Sequence, residues 1–276
     1  MLVLVRQYGQ TSNNFFQHVF IDAFCKENNI KFYNKYIVKY EKDYPGLRSP
    51  RKNFFLNLII SISLLLNKFR IINVLTFNTF EDINKYQDLI IKNKRFQLCK
   101  GWFFFQPELL NKYRAYYQEL FTPAIDQTFY ANKYLGKNEP EMKFIGVHIR
   151  RGDYKYWHDG KYYYSDKEYI KIIKQLTSII NNECRIIIFT NDSNINVGLY
   201  KEMFNNIMFS NESVVVDHYL MSNCDYIIGP LSSFSMWASY IGNKPYYHIT
   251  NLNKIISLDD FRICCSLSQN KIDYEL

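Results

Sequence analysis

Residues 146–154 read Gly146-Val147-His148-Ile149-Arg150-Arg151-Gly152-Asp153-Tyr154. With Lys143-Phe144-Ile145 in front, Val147 and Ile149 complete a short, mostly apolar run of the kind a buried strand shows. Gly152, beside Asp153, ends the run in a turn. Alternation along the strand sends His148 and Arg150 to one face and Ile149 and Arg151 to the other. His148 and Arg150 are then the pair that converges on one ligand, and Arg151 braces the turn or the opposite side. A guanidinium stays charged at any relevant pH and its planar fork of donors matches two phosphate oxygens. The plain alternative is a structural ion pair between an arginine and Asp153.

The sequence around this strand alternates strand and helix. Ser165-Asp166-Lys167-Glu168 is a capping box that launches a helix over 166–181, with Tyr169, Ile172, Ile173, Leu176 and Ile180 on one face. Arg185 to Phe189 reads as a buried strand ending at Thr190-Asn191-Asp192-Ser193, followed by a helix over 195–204. Val214-Val215-Val216 is a short strand on β-propensity, and Asp217 caps a short helix running to Asn223. A strand over 225–228 ends at Gly229-Pro230-Leu231-Ser232-Ser233-Phe234-Ser235, and a helix over 235–241 leads to a strand over 245–249. Such a series predicts an α/β fold with a parallel sheet. Ligands in these sheets sit at the carboxyl ends of the strands, where all three polar clusters fall.

The first half is less regular. A strand over 2–6, a polar turn over 7–13 and a helix over 14–27 open the chain. A strand over 32–36, a loop over 40–52, a helix over 53–68 and a strand over 70–77 follow. The series continues with a helix over 81–93, a strand over 96–100 and a helical stretch from Pro107 to Leu135 broken at Pro123. Trp102-Phe103-Phe104-Phe105 next to Pro107 offers a sugar-stacking platform, but core packing is the commoner use of such a run, and it is left out of the site. Gly136 to Glu141 is the best domain boundary, giving domains over 1–140 and 141–276.

Apolar residues at 47% and charged residues at 22% of 276 positions fit a globular chain and not a disordered one. The net charge of +8 suits an anionic ligand or surface. It is spread along the chain without a run of five like charges, so a nucleic-acid partner is not indicated. Six cysteines without a C-x-x-C read as thiols in a reducing compartment. The apolar start is too short for a signal peptide. The stretch from Phe54 to Leu66 falls short of the ~20 residues that a membrane span needs and reads as a buried or surface-docked helix. The expected setting is cytoplasmic, with at most peripheral contact at the inner face of a membrane.

The string H-I-R-R-G-D-Y over 148–154 resembles the H-x-R-R-x-D motif of the α1,2- and α1,6-fucosyltransferases. It is most similar to the α1,2 group, glycosyltransferase family 11. Phe189-Thr190-Asn191-Asp192 resembles that family's F-x-[ST]-[DN]-D segment. Ser232-Ser233-Phe234-Ser235-Met236-Trp237 resembles its S-S-F-S-x-W, with Asp217 to Ser222 matching the upstream D-x-x-x-M-S. The opening G-G-x-G-N-Q-x-F-Q-Y-A survives only in part: Gly9, Asn13, Phe16 and Gln17 match, while Gln10 and Ser12 replace glycines.

The resemblance implies a GT-B-like fold, two Rossmann-like domains facing a cleft. It also implies an inverting transfer of L-fucose from GDP-β-L-fucose to a glycan, with O2 of a β-galactoside as the family default. Arg150 then stabilises the departing β-phosphate, assisted by Ser232, Ser233, Phe234 and Ser235, and His148 positions the nucleotide. Asp192 accepts from guanine N1–H and the exocyclic amine; a helix N-cap is its plain alternative. Asp153 is the first candidate for the base that takes the acceptor proton, and His158 or Asp159 the second. No D-x-D occurs in the chain, so no metal or other cofactor is expected. The partners are a nucleotide sugar and a glycan acceptor. Two other readings share the pattern: a transferase of the same fold using another nucleotide sugar, and a non-catalytic relative that binds GDP or glycan.

Overall fold

The computed structural model describes residues 1–276 except 49–53, 80, 94–95, 103, 105, 137–140, 181 and 265–276. Two compact units meet in sequence between Ala124 and Ile125. The boundary expected at 136–141 falls mostly on 137–140, outside the described residues, as do Phe103 and Phe105 of the aromatic run.

The first unit holds β1 (Leu2–Leu4), α1 (Thr11–Glu27), β2 (Phe32–Asn34), α2 (Phe54–Lys68), β3 (Val74–Phe77), α3 (Asp82–Lys92), β4 (Gln97–Gly101), α4 (Pro107–Lys112) and α5 (Arg114–Leu120). Its sheet is parallel throughout, in the order β2-β1-β4-β3. Helix α1 starts at Thr11, earlier than the expected 14, because polar residues of its first turns find partners inside the fold. The Asn14 amide donates to the Tyr40 hydroxyl at 2.9 Å. The Gln17 amide donates to the carbonyls of Arg6 at 3.1 Å and Gly101 at 2.8 Å, pinning together the carboxyl ends of β1 and β4. On the other face α2 sets Ile60 against Val3, Val5 and Leu98.

The second unit holds α6 (Gln127–Tyr134), β5 (Lys143–Ile149), α7 (Asp166–Ile179), β6 (Cys184–Thr190), α8 (Val197–Met203), β7 (Ile207–Phe209), α9 (Val214–Ser222), β8 (Tyr226–Gly229), α10 (Ser233–Gly242), β9 (Pro245–His248) and β10 (Arg262–Ile263). Its sheet order is β10-β9-β8-β5-β6-β7, parallel except for the β9–β10 edge. The expected α/β class with parallel sheets is what the chain forms. Ile145, Val147 and Ile149 face Tyr169, Ile172, Ile173 and Leu176 of α7 in one core. On the other face Gly146 lies against Cys224 and Met221, with so little room that a methyl group there would come within 3.1 Å of the Cys224 sulfur.

One strand was misplaced by the sequence. Val214–Val216 is the first turn of α9 and not a strand, and the edge strand is Ile207–Phe209, paired with Ile186–Ile188. Three β-branched residues favour a strand locally, but Ser213 takes the N-cap position and α9 must cover the sheet face beside Gly146. Asp217 is therefore inside the helix, where its carboxylate bonds the Ser210 hydroxyl, and caps nothing.

Candidate functional site

Strand order in the second unit reverses between β5 and β8: the chain moves from β5 outward to β6 and β7, then returns to place β8 on the opposite side of β5. The carboxyl ends of strands at such a switch point leave a crevice for ligands. His148 and Arg150 stand at the end of β5, and the turn from Gly229 to Ser232 leads from β8 into α10.

His148 and Ser235 meet beside this switch point. Both are buried, and the imidazole Nδ1 lies 2.7 Å from the Ser235 hydroxyl. Burial, reinforced by the charge of Arg150 and by His218, drives the His148 pKa down to about 3, so the ring is neutral. Phe234 packs against His148 at 4.9 Å and stacks on His218 at 4.2 Å. Gly229 makes this possible: a Cβ there would stand 2.9 Å from the Ser235 hydroxyl and 3.1 Å from the His148 Cβ. Ser232 caps α10, its hydroxyl accepting from the Phe234 N–H at 3.3 Å. Ser233 is half-buried beside it, in the first turn where the helix dipole favours an anion.

The two arginines have different fates. Arg151, 9% exposed, donates to Asp192 at 2.8 Å, to Asp166 at 2.5 Å and to the Tyr164 carbonyl at 3.2 Å. The Tyr200 hydroxyl adds a bond to Asp166 at 3.1 Å, and the Asn191 side chain accepts from the Arg151 N–H at 3.0 Å. Breaking so enclosed an ion cluster costs about 3–5 kcal/mol, which commits Arg151 to bracing, as its place on the strand predicted. Arg150, 21% exposed and 5.6 Å from the centre of the Tyr154 ring, pairs with Asp153 at 2.9 Å, and that carboxylate is 61% exposed. A pair this open is worth about 0–1 kcal/mol, less than the charge-assisted bonds a phosphate offers, at about 1.5–3 kcal/mol each. Arg150 is the guanidinium that a ligand can recruit.

Asp192 is not the N-cap of α8; Asn196 is, accepting from Leu199 at 3.1 Å. The Asp192 carboxylate holds Arg151 on one oxygen and accepts the Asn194 N–H at 2.9 Å on the other. It therefore sits at the end of β6 with Arg151 and not with Arg150. The loop after β5 is fastened to the turn after β8, since the Tyr154 hydroxyl donates to the Leu231 carbonyl at 2.5 Å. Farther along this loop His158 and Asp159 are exposed and left-handed, at φ 47° and 55°. The His158 ring leans on Trp157 at 4.5 Å and Tyr162 at 6.1 Å. His218, Tyr154, Gly229, Asp166 and Tyr200 were given no place in the site by the sequence; only the helical placement of α9 brings His218 to Phe234. Among the described residues no group of three or more His, Cys, Asp or Glu side chains is placed to hold a metal ion.

The model for glycosyl transferase family 11 matches residues 53–261, the greater part of the chain and all three strand-end clusters. The chain belongs to glycosyl transferase family 11. Among solved structures this family 11 chain resembles a mutant of Arabidopsis thaliana FUT1 in complex with GDP. The two are 12% identical, with TM-score 0.60 over 91% of this chain and 71% of that one. It also resembles the fucosyltransferase NodZ from Bradyrhizobium, at 11% identity, TM-score 0.58, and 92% and 97% coverage. POFUT1 in complex with GDP aligns at 10% identity, TM-score 0.51, and 88% and 94% coverage. Likeness at these identities is one of fold, and it agrees with the GT-B-like class. No curated protein matches the chain in sequence.

Proposed function

We propose that the chain moves L-fucose from GDP-β-L-fucose to a glycan hydroxyl, O2 of a β-galactoside, with inversion and without a metal. The observation that carries this reading is Arg150, a loosely paired guanidinium at the β5–β8 switch point next to the start of α10. Family membership supports glycosyl transfer. Structures of the same fold have been obtained with GDP and, for NodZ α-1,6-fucosyltransferase, after soaking with GDP-fucose.

In this reading the bond between fucose C1 and the diphosphate oxygen breaks, and its electron pair leaves with GDP. Arg150, with the hydroxyls and N–H groups of Ser232, Ser233 and Ser235 near the helix start, stabilises the charge that develops there. The acceptor oxygen bonds C1 from the opposite side and gives its proton to a base. Asp153 is the first choice for that base: once Arg150 turns to phosphate, the Asp153 carboxylate loses its partner and is free to accept. His158 and Asp159 on the same loop are the second choice. Neutral His148 supports the nucleotide, and Asp192, held by Arg151, accepts from guanine N1–H and its amine.

A panel of GDP-sugars with lactose as acceptor, run with and without EDTA, tests the reaction. Turnover of GDP-fucose that survives EDTA is expected; turnover of another GDP-sugar only, or GDP binding with neither transfer nor donor hydrolysis, refutes the reading. Calorimetry tests the base contact. Inosine diphosphate, which lacks the amine, should bind about tenfold more weakly than GDP, and Asp192→Asn should shrink that difference. Equal affinities for the two nucleotides in the unaltered protein remove Asp192 from the guanine site.

A further inference from the structure

Helix α2 is apolar on both sides. Its inner side packs Ile60 on the first sheet, while Leu58, Ile59, Ile62 and Leu65 on its outer side are 47–53% exposed. Leu58, Ile62, Leu65 and Phe69 follow one another at four, three and four residues, so they form one stripe. A stripe of this kind on a water-facing helix marks a docking surface.

The stripe ends in a fixed tip. The Ile71 N–H bonds the Leu66 carbonyl at 3.1 Å and the Arg70 N–H bonds the Asn67 carbonyl at 2.9 Å. These are the two bonds of a Schellman turn, with Arg70 left-handed at φ 60° where glycine is usual. The Asn67 side chain bonds the Ile72 carbonyl at 2.6 Å and holds the turn from behind. Phe69 and Ile71 are thereby held outward, 70% and 69% exposed, with exposed Lys68 and Arg70 between and beside them.

The charge of the surrounding sequence is one-sided. Between Asp43 and Glu81 there is no acidic residue, whereas Arg48, Arg51, Lys52, Lys68 and Arg70 all fall in that interval. We propose that the outer face of α2 and its tip dock on an anionic lipid bilayer, the apolar stripe entering the headgroup boundary while Lys68 and Arg70 meet lipid phosphates. A second copy seated on the same patch would set like charges against like, whereas an anionic bilayer pairs them. The proposal concerns the first unit and does not depend on the donor assigned to the second.

Sedimentation of the full chain with vesicles decides the matter, using phosphatidylcholine mixed in equal parts with phosphatidylglycerol against phosphatidylcholine alone. Preferential binding to the anionic vesicles is expected, falling about tenfold or more in Leu58→Asp/Ile62→Asp. In Arg70→Gly, whose residue suits the left-handed turn, it should fall about fivefold. Unfolding midpoints and GDP affinity, measured alongside, should stay at the unaltered values in Arg70→Gly, so that lost binding is not lost folding. Failure to bind either vesicle, equal binding to both, or binding indifferent to these substitutions overturns the proposal. So does a concentration-dependent dimer that Leu58→Asp/Ile62→Asp abolishes, which would assign the face to a second copy.

Discussion

Two adjacent guanidiniums show how neighbours in sequence acquire opposite roles. Arg151 is held by the half-buried carboxylates of Asp166 and Asp192 and by the Tyr164 carbonyl, whereas Arg150 lies over the Tyr154 ring and pairs with the exposed carboxylate of Asp153. Arg150→Lys should therefore fold normally, since it keeps the charge and a pair with an exposed carboxylate contributes little. It should lose about 10²–10³ in kcat, because an ammonium cannot make the forked contact; a rate within a few-fold of the unaltered enzyme would remove the role assigned to it. Arg151→Met should do the reverse damage first, lowering stability in urea by about 3 kcal/mol as two enclosed carboxylates lose their partner. Gly229 is the third informative position. Gly229→Ala places a methyl group against the His148–Ser235 contact, and calorimetry should show GDP affinity reduced about tenfold or more, an effect of roughly 1–3 kcal/mol for such crowding.

Among the elements, α7 shows how a local signal and the tertiary fold agree. The Ser165 N–H donates to the Glu168 carboxylate at 2.6 Å, and the Ser165 hydroxyl accepts in return from the Glu168 N–H at 3.4 Å. Ser165→Ala should cost about 1 kcal/mol in urea unfolding, with no change in nucleotide affinity, because the exposed Ser165 side chain bonds Glu168 and not the Arg151 cluster. Helix α9 shows the two in conflict. Val214, Val215 and Val216 lose only a few tenths of a kcal/mol each in a helix relative to better formers. Burying Leu220 and Met221 and stacking His218 on Phe234 outweighs that.

At the scale of the whole molecule, buried neutral histidines set the pH response. Burial lowers His148 and His218 to about 3 and also lowers His18. Each is protonated in the unfolded chain below about 6.5 but resists protonation when folded, so its stabilising contribution is complete above that pH and is lost as pH falls. Asp217 works the other way. Burial raises it to about 6, so folded protein holds its proton between about 4 and 6 while the unfolded chain does not. Two protons against one leave a net loss of roughly 1.4 kcal/mol per pH unit across that window, before His18 is counted. Urea midpoints should thus drop between pH 7 and pH 5, and the drop should shrink in His218→Gln; a flat profile would contradict the buried, neutral assignment.

Periodicity and short-range chemistry were enough to read the parallel α/β class, the strand carrying Val147, His148 and Ile149, the helix capped by Ser165, and the position of three polar clusters at strand ends. These features depend on residues a few positions apart, and a run of alternating or capped residues reports them directly. The extended pattern also carried the family resemblance. The division between Arg150 and Arg151 was legible only as a direction along the strand, since the partners that decide it, Asp166 and Asp192, arrive from other elements. The strand at Ile207–Phe209, the helix at Val214, and the contact of His148 with Ser235 were settled by tertiary packing. Each of these depends on which surface an element must cover, and a surface is made by residues far apart in the chain.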